Sequence, residues 1–341
     1  LVSSIIPPHP EPRRLEALME AQANLLAHGI VGVTDAGLSP AEIERIDALQ
    51  QAGALKLRVN ALVSASDDNI AWLVDSGRRI EDMLVVNGVK FYMDGALGSR
   101  GALLRQPYSD RTGWFGLATQ REQEFKRQIE TLHGHGLQAA THCIGDSATA
   151  LVLDAYADVL EGPNDLRWRI EHAQVVSEDD VARFGGYSVI PSVQPTHATS
   201  DMYWAGERLG RNRIRRAYAY QELLQALGMT ALGTDFPVED IDPRKTFAAA
   251  VARMDADGYP VGGFQPENAL TPEQALRGMT QWVALAQFQE NTLGTIEVGK
   301  WADFTWMDRN WMEVDAQSVR TTRIYGTCIA GEWHYLESQR P

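Results

Sequence analysis

The chain has 341 residues, 44% of them hydrophobic and 22% charged, with a formal net charge of −14. That length supports one large core or two domains of ordinary globular composition. The acidic balance argues against a nucleic-acid or anionic-membrane surface. No apolar run reaches the roughly eighteen residues a membrane-spanning helix needs, and two cysteines, Cys143 and Cys328, make no disulfide framework.

In chain order, "PRRLEALMEAQANLLAHG" (12–29) carries leucines at helical spacing and closes on Gly29. The residues before it lack the basic and apolar regions of a signal peptide, and with the sparse cysteines this points to a cytoplasmic location. A β-branched run follows at 30–36, a helix at 40–53, a strand at 55–65 and a helix at 69–80. "DMLVVNGVKFYMDG" (82–95) reads as a strand, and a Gly-rich loop runs on to about Phe115. The alternation continues with helix 120–136, strand 137–146, helix 147–160, strand 167–174, helix 177–186, strand 187–197, helix 213–228 and strand 229–237. Helices over 243–258 and 271–288 complete this part. The tail, 291–311 and 321–335, reads as short strands with Gly turns.

Seven strands alternating with helices predict an α/β protein with a parallel sheet. The pattern suits a distorted (β/α)8 TIM barrel without its first strand over 10–290, with a small C-terminal β-subdomain over 291–341. A doubly wound open sheet is the alternative. No phosphate-binding glycine motif follows any strand.

Four polar residues fall at or near predicted strand ends: Lys90, His142, His172 and Asp235. In a barrel that rim gathers functional groups, and two imidazoles with a carboxylate suit Zn²⁺ or a similar divalent ion. Each also has a structural reading. Asp235 fits the N-cap of the next helix, and Lys90 fits an ion pair with Asp94, four residues on and on the same predicted strand face. His133 and His135 in "LHGHGL" end a helix, which places them on the opposite face, near helix C-terminal carbonyls. Cys143 alternates away from His142 and reads as packing.

"VKFYMDGALGSRGALL", "THCIGD", "RIEHAQ", "SVQPTHATSD" and "LGTDFPVEDIDP", in this order, resemble the amidohydrolase superfamily, and most nearly amidohydrolase family 3, the branch of the N-substituted formamide deformylases. The resemblance covers residues 15–335. It implies a hydrolase of non-peptide C–N bonds in amides, formamides or cyclic amides, with one or two zinc-like ions held by Lys90, His142, His172 and Asp235. It makes Lys90 a lysine open to carboxylation, and Asp235 a proton shuttle between water and leaving amine. His197 would act as an electrophile beside the carbonyl. Gly95, Ser99 and Arg100 on one loop, and Gln194 and Asp201 after strand seven, would contact a small-molecule amide substrate. Tyr203 and Trp204 fit either a pocket lining or plain loop packing. A homodimer is compatible with the sequence.

The family's H-x-H on its first strand has no counterpart here, so the chain reads as the C-terminal two-thirds of a longer protein, inactive alone. Two other readings stand beside the hydrolase: a metal-free binding or scaffold protein on the same barrel, and a Schiff-base lyase using Lys90.

Overall fold

The computed structural model describes residue 7 and residues 9–337. Most of the stretch bearing on a signal peptide, and the last four residues of the 291–341 unit, lie outside the described residues. Short apolar and β-branched runs form the strands β1 (Gly32–Leu38), β2 (Arg58–Ser64), β3 (Arg79–Ile80), β4 (Leu84–Tyr92), β5 (Gln138–Cys143), β6 (Arg169–His172), β7 (Ile190–Val193) and β8 (Ala231–Leu232). Seven of these pair in parallel in the order β1-β2-β4-β5-β6-β7-β8, and β3 adds antiparallel to β4. The sheet curls into part of a barrel and is open between β1 and β8 among the described residues. This is the α/β barrel architecture expected from the alternation of elements.

Helices cover the outer face. Phe91 of β4 meets Phe125 of the helix Glu122–Gly134 edge-on at 5.3 Å, and Trp168, just before β6, packs on Tyr156 of the helix Asp146–Leu160. These outward residues leave their neighbours to the interior. In register across the sheet, Lys90, Ala140 and Arg169 form one row, and Tyr92, His142, Glu171 and Ser192 form the row above it.

The C-terminal strands β9 (Phe304–Met307), β10 (Ile324–Ile329) and β11 (Glu332–Leu336) make a separate antiparallel sheet in the order β11-β10-β9. It packs on the first helix, Glu11–Ala27: Leu26, Leu57 and Ile329 form a small core, and the Thr327 hydroxyl donates to the Leu26 carbonyl at 2.6 Å. Gly326 is required here, because a Cβ would meet the Trp333 ring at 2.6 Å. The buried Arg58 of β2 pairs with the buried Asp303, which also accepts the Ala330 N–H.

Several element expectations are corrected. The stretch 69–80 is not one helix: Asp67–Ser76 ends at Gly77 (φ 75°), and β3 follows. Strand 187–197 stops at Val193, because Pro195 starts a helix, Pro195–Asp201, which carries His197. The helix expected over 213–228 is broken. A helix Ala205–Arg213 precedes a 3₁₀ turn (Ile214–Arg216), Ala217 is extended and bridged to Val175, and a new helix runs Tyr220–Leu227. Thr280 (φ −131°, ψ −82°) splits 271–288 into Pro272–Met279 and Gln281–Ala286. The helix starting at Pro243 ends at Ala252, with Arg253 left-handed. Of the first tail stretch only β9 is a strand.

Candidate metal centre

The parallel strands aim their C-terminal ends at one mouth, and their curl brings distant segments together there. Lys90 Nζ lies 5.1 Å from the Tyr92 ring centroid. That ring is 5.5 Å from His142, His142 is 4.5 Å from His172, and His172 stacks on His197 at 5.8 Å. His197 Nε2 is 3.4 Å from Asp235 Oδ2. One donor atom from each of His172, His197 and Asp235 lies within 4.8 Å of the others.

Backbone conformation completes the convergence. Strict alternation puts His172 on the outer face with Trp168 and Ile170. Positive φ at His172 (74°) and Ala173 (41°) turns the chain, and the imidazole reaches the mouth. Asp235 also has a positive φ (58°). Such conformations cost about 1–3 kcal/mol each and collect at functional positions.

Electrostatics separate the groups. Burial lowers the Lys90 ammonium pKa, against the pull of Glu171. Burial and then the Lys90 charge push His142 down to about 4. Burial and the neighbouring His142 and Lys90 hold His172 well below the ordinary imidazole range. His197 goes the other way: burial lowers its pKa, but the Asp235 carboxylate beside it prevails and raises it. Glu171 is held low, because Arg169, 2.8 Å away, and Lys90 outweigh its burial.

The donor set fits a divalent ion. His172 Nδ1 bonds the Gln194 side-chain oxygen at 2.7 Å, which leaves Nε2 as the lone-pair nitrogen. His197 Nε2 is buried without a hydrogen-bond partner. The imidazoles of His142 and His172, both held neutral by burial, and the Asp235 carboxylate are the ligand types of Zn²⁺ and related ions.

The other candidates fall out differently. Gln194 braces His172 rather than facing open space. Asp201 accepts the Tyr218 hydroxyl (2.7 Å) and the Gln174 amide (3.0 Å), which tie down the helix bearing His197. Gly95 presses against Gly101, the Ser99 hydroxyl donates to the Ala96 carbonyl, and Arg100 makes a two-point pair with Asp110. Tyr203 is exposed and stacks on Tyr259, while the Trp204 ring closes over Gly98.

The expected Lys90–Asp94 ion pair does not form. The strand ends at Tyr92, and the Asp94 carboxylate turns to three backbone N–H groups, of Leu103, Ile144 and Gly145. Asp235 is not a helix cap; Asp242 caps the next helix. His135 Nδ1 bonds the Thr131 carbonyl at a helix end, and His133 packs edge-on against Trp168, away from the mouth. Cys143 is buried in the outer-layer core. Sequence reading missed the inward roles of Glu171 and Arg169, although alternation within "RIEH" signals both.

The chain matches the family model described as "Amidohydrolase family" over residues 1–335. It is 30% identical over 338 residues to Protein LONG AFTER FAR-RED 3 of Arabidopsis thaliana, covering 94% of this chain and 57% of that protein. It is 25% identical over 335 residues to N-substituted formamide deformylase of Arthrobacter pascens, covering 95% and 60%. A crystal structure of an uncharacterized metal-dependent hydrolase from Pyrococcus horikoshii OT3 superposes with a TM-score of 0.80 at 30% identity, covering 89% of this chain and 61% of that one. The chain thus spans less than two thirds of the length of these relatives.

Proposed function

The chain belongs to the amidohydrolase family, and from that premise we propose that it carries the metal centre of a hydrolase acting on a non-peptide C–N bond of a small molecule. The observation that carries this reading is the convergence of His172, His197 and Asp235 within 4.8 Å, with His142 packed against His172. His142, His172 and Asp235 would hold the ion, with Lys90 as the further ligand. Lys90 is buried and its ammonium form is disfavoured, which supports an amine able to add CO₂, lose a proton and become an anionic carbamate. A divalent ion bound there, zinc in our reading, would supply Lewis acidity to activate water and polarise the scissile carbonyl.

The chain's own groups do the rest. Asp235 takes the proton of the attacking water on its carboxylate and returns it to the leaving amine. His197, 3.4 Å from that carboxylate, donates to the oxygen on which charge develops. Gln194 and Asp201 hold these groups in place, and the loop after β4 that carries Gly95, Ser99 and Arg100 is where we place contacts to the substrate. We assign the barrel to 10–290 and the β-rich unit to 291–341. Both cysteines are buried and unpaired, which supports a cytoplasmic setting. No helix among the described residues is long and apolar enough to cross a membrane.

The similarity to Protein LONG AFTER FAR-RED 3, whose name states no enzyme activity, favours one competing reading, a metal-free binding protein. Elemental analysis under metal-replete conditions separates the two. The hydrolase reading expects about one or two zinc-like ions per chain, and loss of amide hydrolysis by at least about 100-fold in Asp235→Asn. A protein that retains no metal, or that turns over fully when stripped of metal, ends the hydrolase reading.

A further inference from the structure

We infer that Asp94 is a positioning residue for His142: its carboxylate receives the Nε2–H of that imidazole and so leaves the Nδ1 lone pair for the cluster of His172, His197 and Asp235. The inference rests on the metal-dependent reading and deepens it. The Asp94 side chain is fully buried, and His142 is the one basic side chain within ion-pair distance of it among the described residues. Oδ2 accepts the N–H of Leu103 at 2.9 Å and of Gly145 at 2.8 Å, and Oδ1 accepts that of Ile144 at 3.0 Å. Oδ1 therefore keeps an acceptor site, and His142 Nε2 stands 3.5 Å from it. That nitrogen is buried and has no hydrogen-bond partner.

A neutral imidazole carries its proton on one nitrogen and its lone pair on the other. A proton on Nε2 gains an anionic acceptor; a lone pair on Nε2 would face a carboxylate and be repelled. The competing acceptor is the Gly95 backbone, also close to this ring. A carboxylate binds an N–H more strongly than a neutral carbonyl does, so Asp94 prevails. The three backbone donors come from the loop after β4 and from the turn between β5 and the helix Asp146–Leu160. They hold the carboxylate still, and through it the ring. Carboxylates that brace ligating histidines follow this logic.

The test is ¹⁵N NMR of the imidazoles in the metal-free protein at pH 8, with His142 assigned from the spectrum lost in His142→Gln. The expected result is the Nε2–H tautomer; an Nδ1–H tautomer overturns the inference. In Asp94→Asn the tautomer should become mixed or reversed, and zinc affinity should fall about 10–100-fold. If Asp94→Asn keeps the wild-type tautomer and zinc affinity, the carboxylate only clamps the loop, and the inference fails. Should Asp94→Asn not fold, the wild-type tautomer decides alone. A wild-type Nε2–H tautomer in a protein that takes up no zinc would retire the metal reading and leave the Asp94 assignment standing.

Discussion

Ionisable side chains crowded together at one mouth take up protons in an order that solution values would not give. His197 is raised by the Asp235 carboxylate and should protonate first on acidification, above the ordinary value of about 6.5. His142 should stay neutral until about pH 4, and burial beside His142 and Lys90 should keep His172 neutral well below the ordinary imidazole range. The linkage signs follow. For His142 and His172 the folded value lies below the unfolded one, so their contribution to stability is full above about pH 6.5 and is lost as pH falls toward 4. For Asp94, which burial pushes up to about 7, the folded value lies above the unfolded one, so its contribution is greatest in acid and is lost as pH rises to 7. An NMR pH titration of the metal-free protein checks the order, and His142 and His172 shifting together near pH 6.5 would refute it. At this scale the shared position of Lys90, His142, His172 and Asp235 at one end of the sheet was legible in sequence, because strand ends suffice to mark it. Asp94 and Gln194 were not. Their partners, the N–H groups of Leu103, Ile144 and Gly145 and the ring of His172, are set by how loops fold back, which no local period encodes.

Elements are held in relation by a few buried contacts whose removal should be costly. Asp303 lies between β2 and the C-terminal sheet, paired with Arg58 at 2.9 Å to Nη2 and accepting the Ala330 N–H. Asp303→Ala leaves a buried guanidinium with the Asp82 carbonyl, the Met83 sulfur and the Trp301 face as its remaining neighbours. The expected loss is about 3–5 kcal/mol, read from the urea midpoint, and a loss under about 1 kcal/mol would show the pair to be replaceable by solvent. Gly145 makes a second tie. A Cβ there would collide with the Leu103 carbonyl, so Gly145→Ala must push the loop after β4 away from the turn that Asp94 holds. A destabilisation of about 2–4 kcal/mol is expected, with weakened zinc uptake; unchanged thermal unfolding would mean that the loop yields freely. The same kind of contact explains where sequence reading of elements failed. Residues 213–228 have helical spacing throughout, yet Ala217 pairs with Val175, and the Tyr218 hydroxyl serves Asp201. Tertiary bonds at two residues outweigh a propensity worth a few tenths of a kcal/mol each.

Over the whole molecule, the count and direction of the parallel strands were readable because each is a short apolar run between helices, whereas the antiparallel β3 was hidden in a stretch with helical spacing. The opening of the sheet is a different matter, since it depends on which strands find neighbours. β4 is paired on both sides, by β2 and β5, whereas among the described residues β1 is paired by β2 alone. Half of the β1 amides therefore lack a sheet acceptor, and an edge strand of this kind opens at little cost. Hydrogen exchange should show the difference directly: amides of Gly32–Leu38 exchanging at least about 100-fold faster than those of Leu84–Tyr92, with the gap independent of protein concentration if the chain is a monomer. Protection of β1 that rises with concentration would instead mean that a second copy covers the edge, and would support the homodimer. Equal protection of β1 and β4 at every concentration would mean that the edge is covered from within the chain.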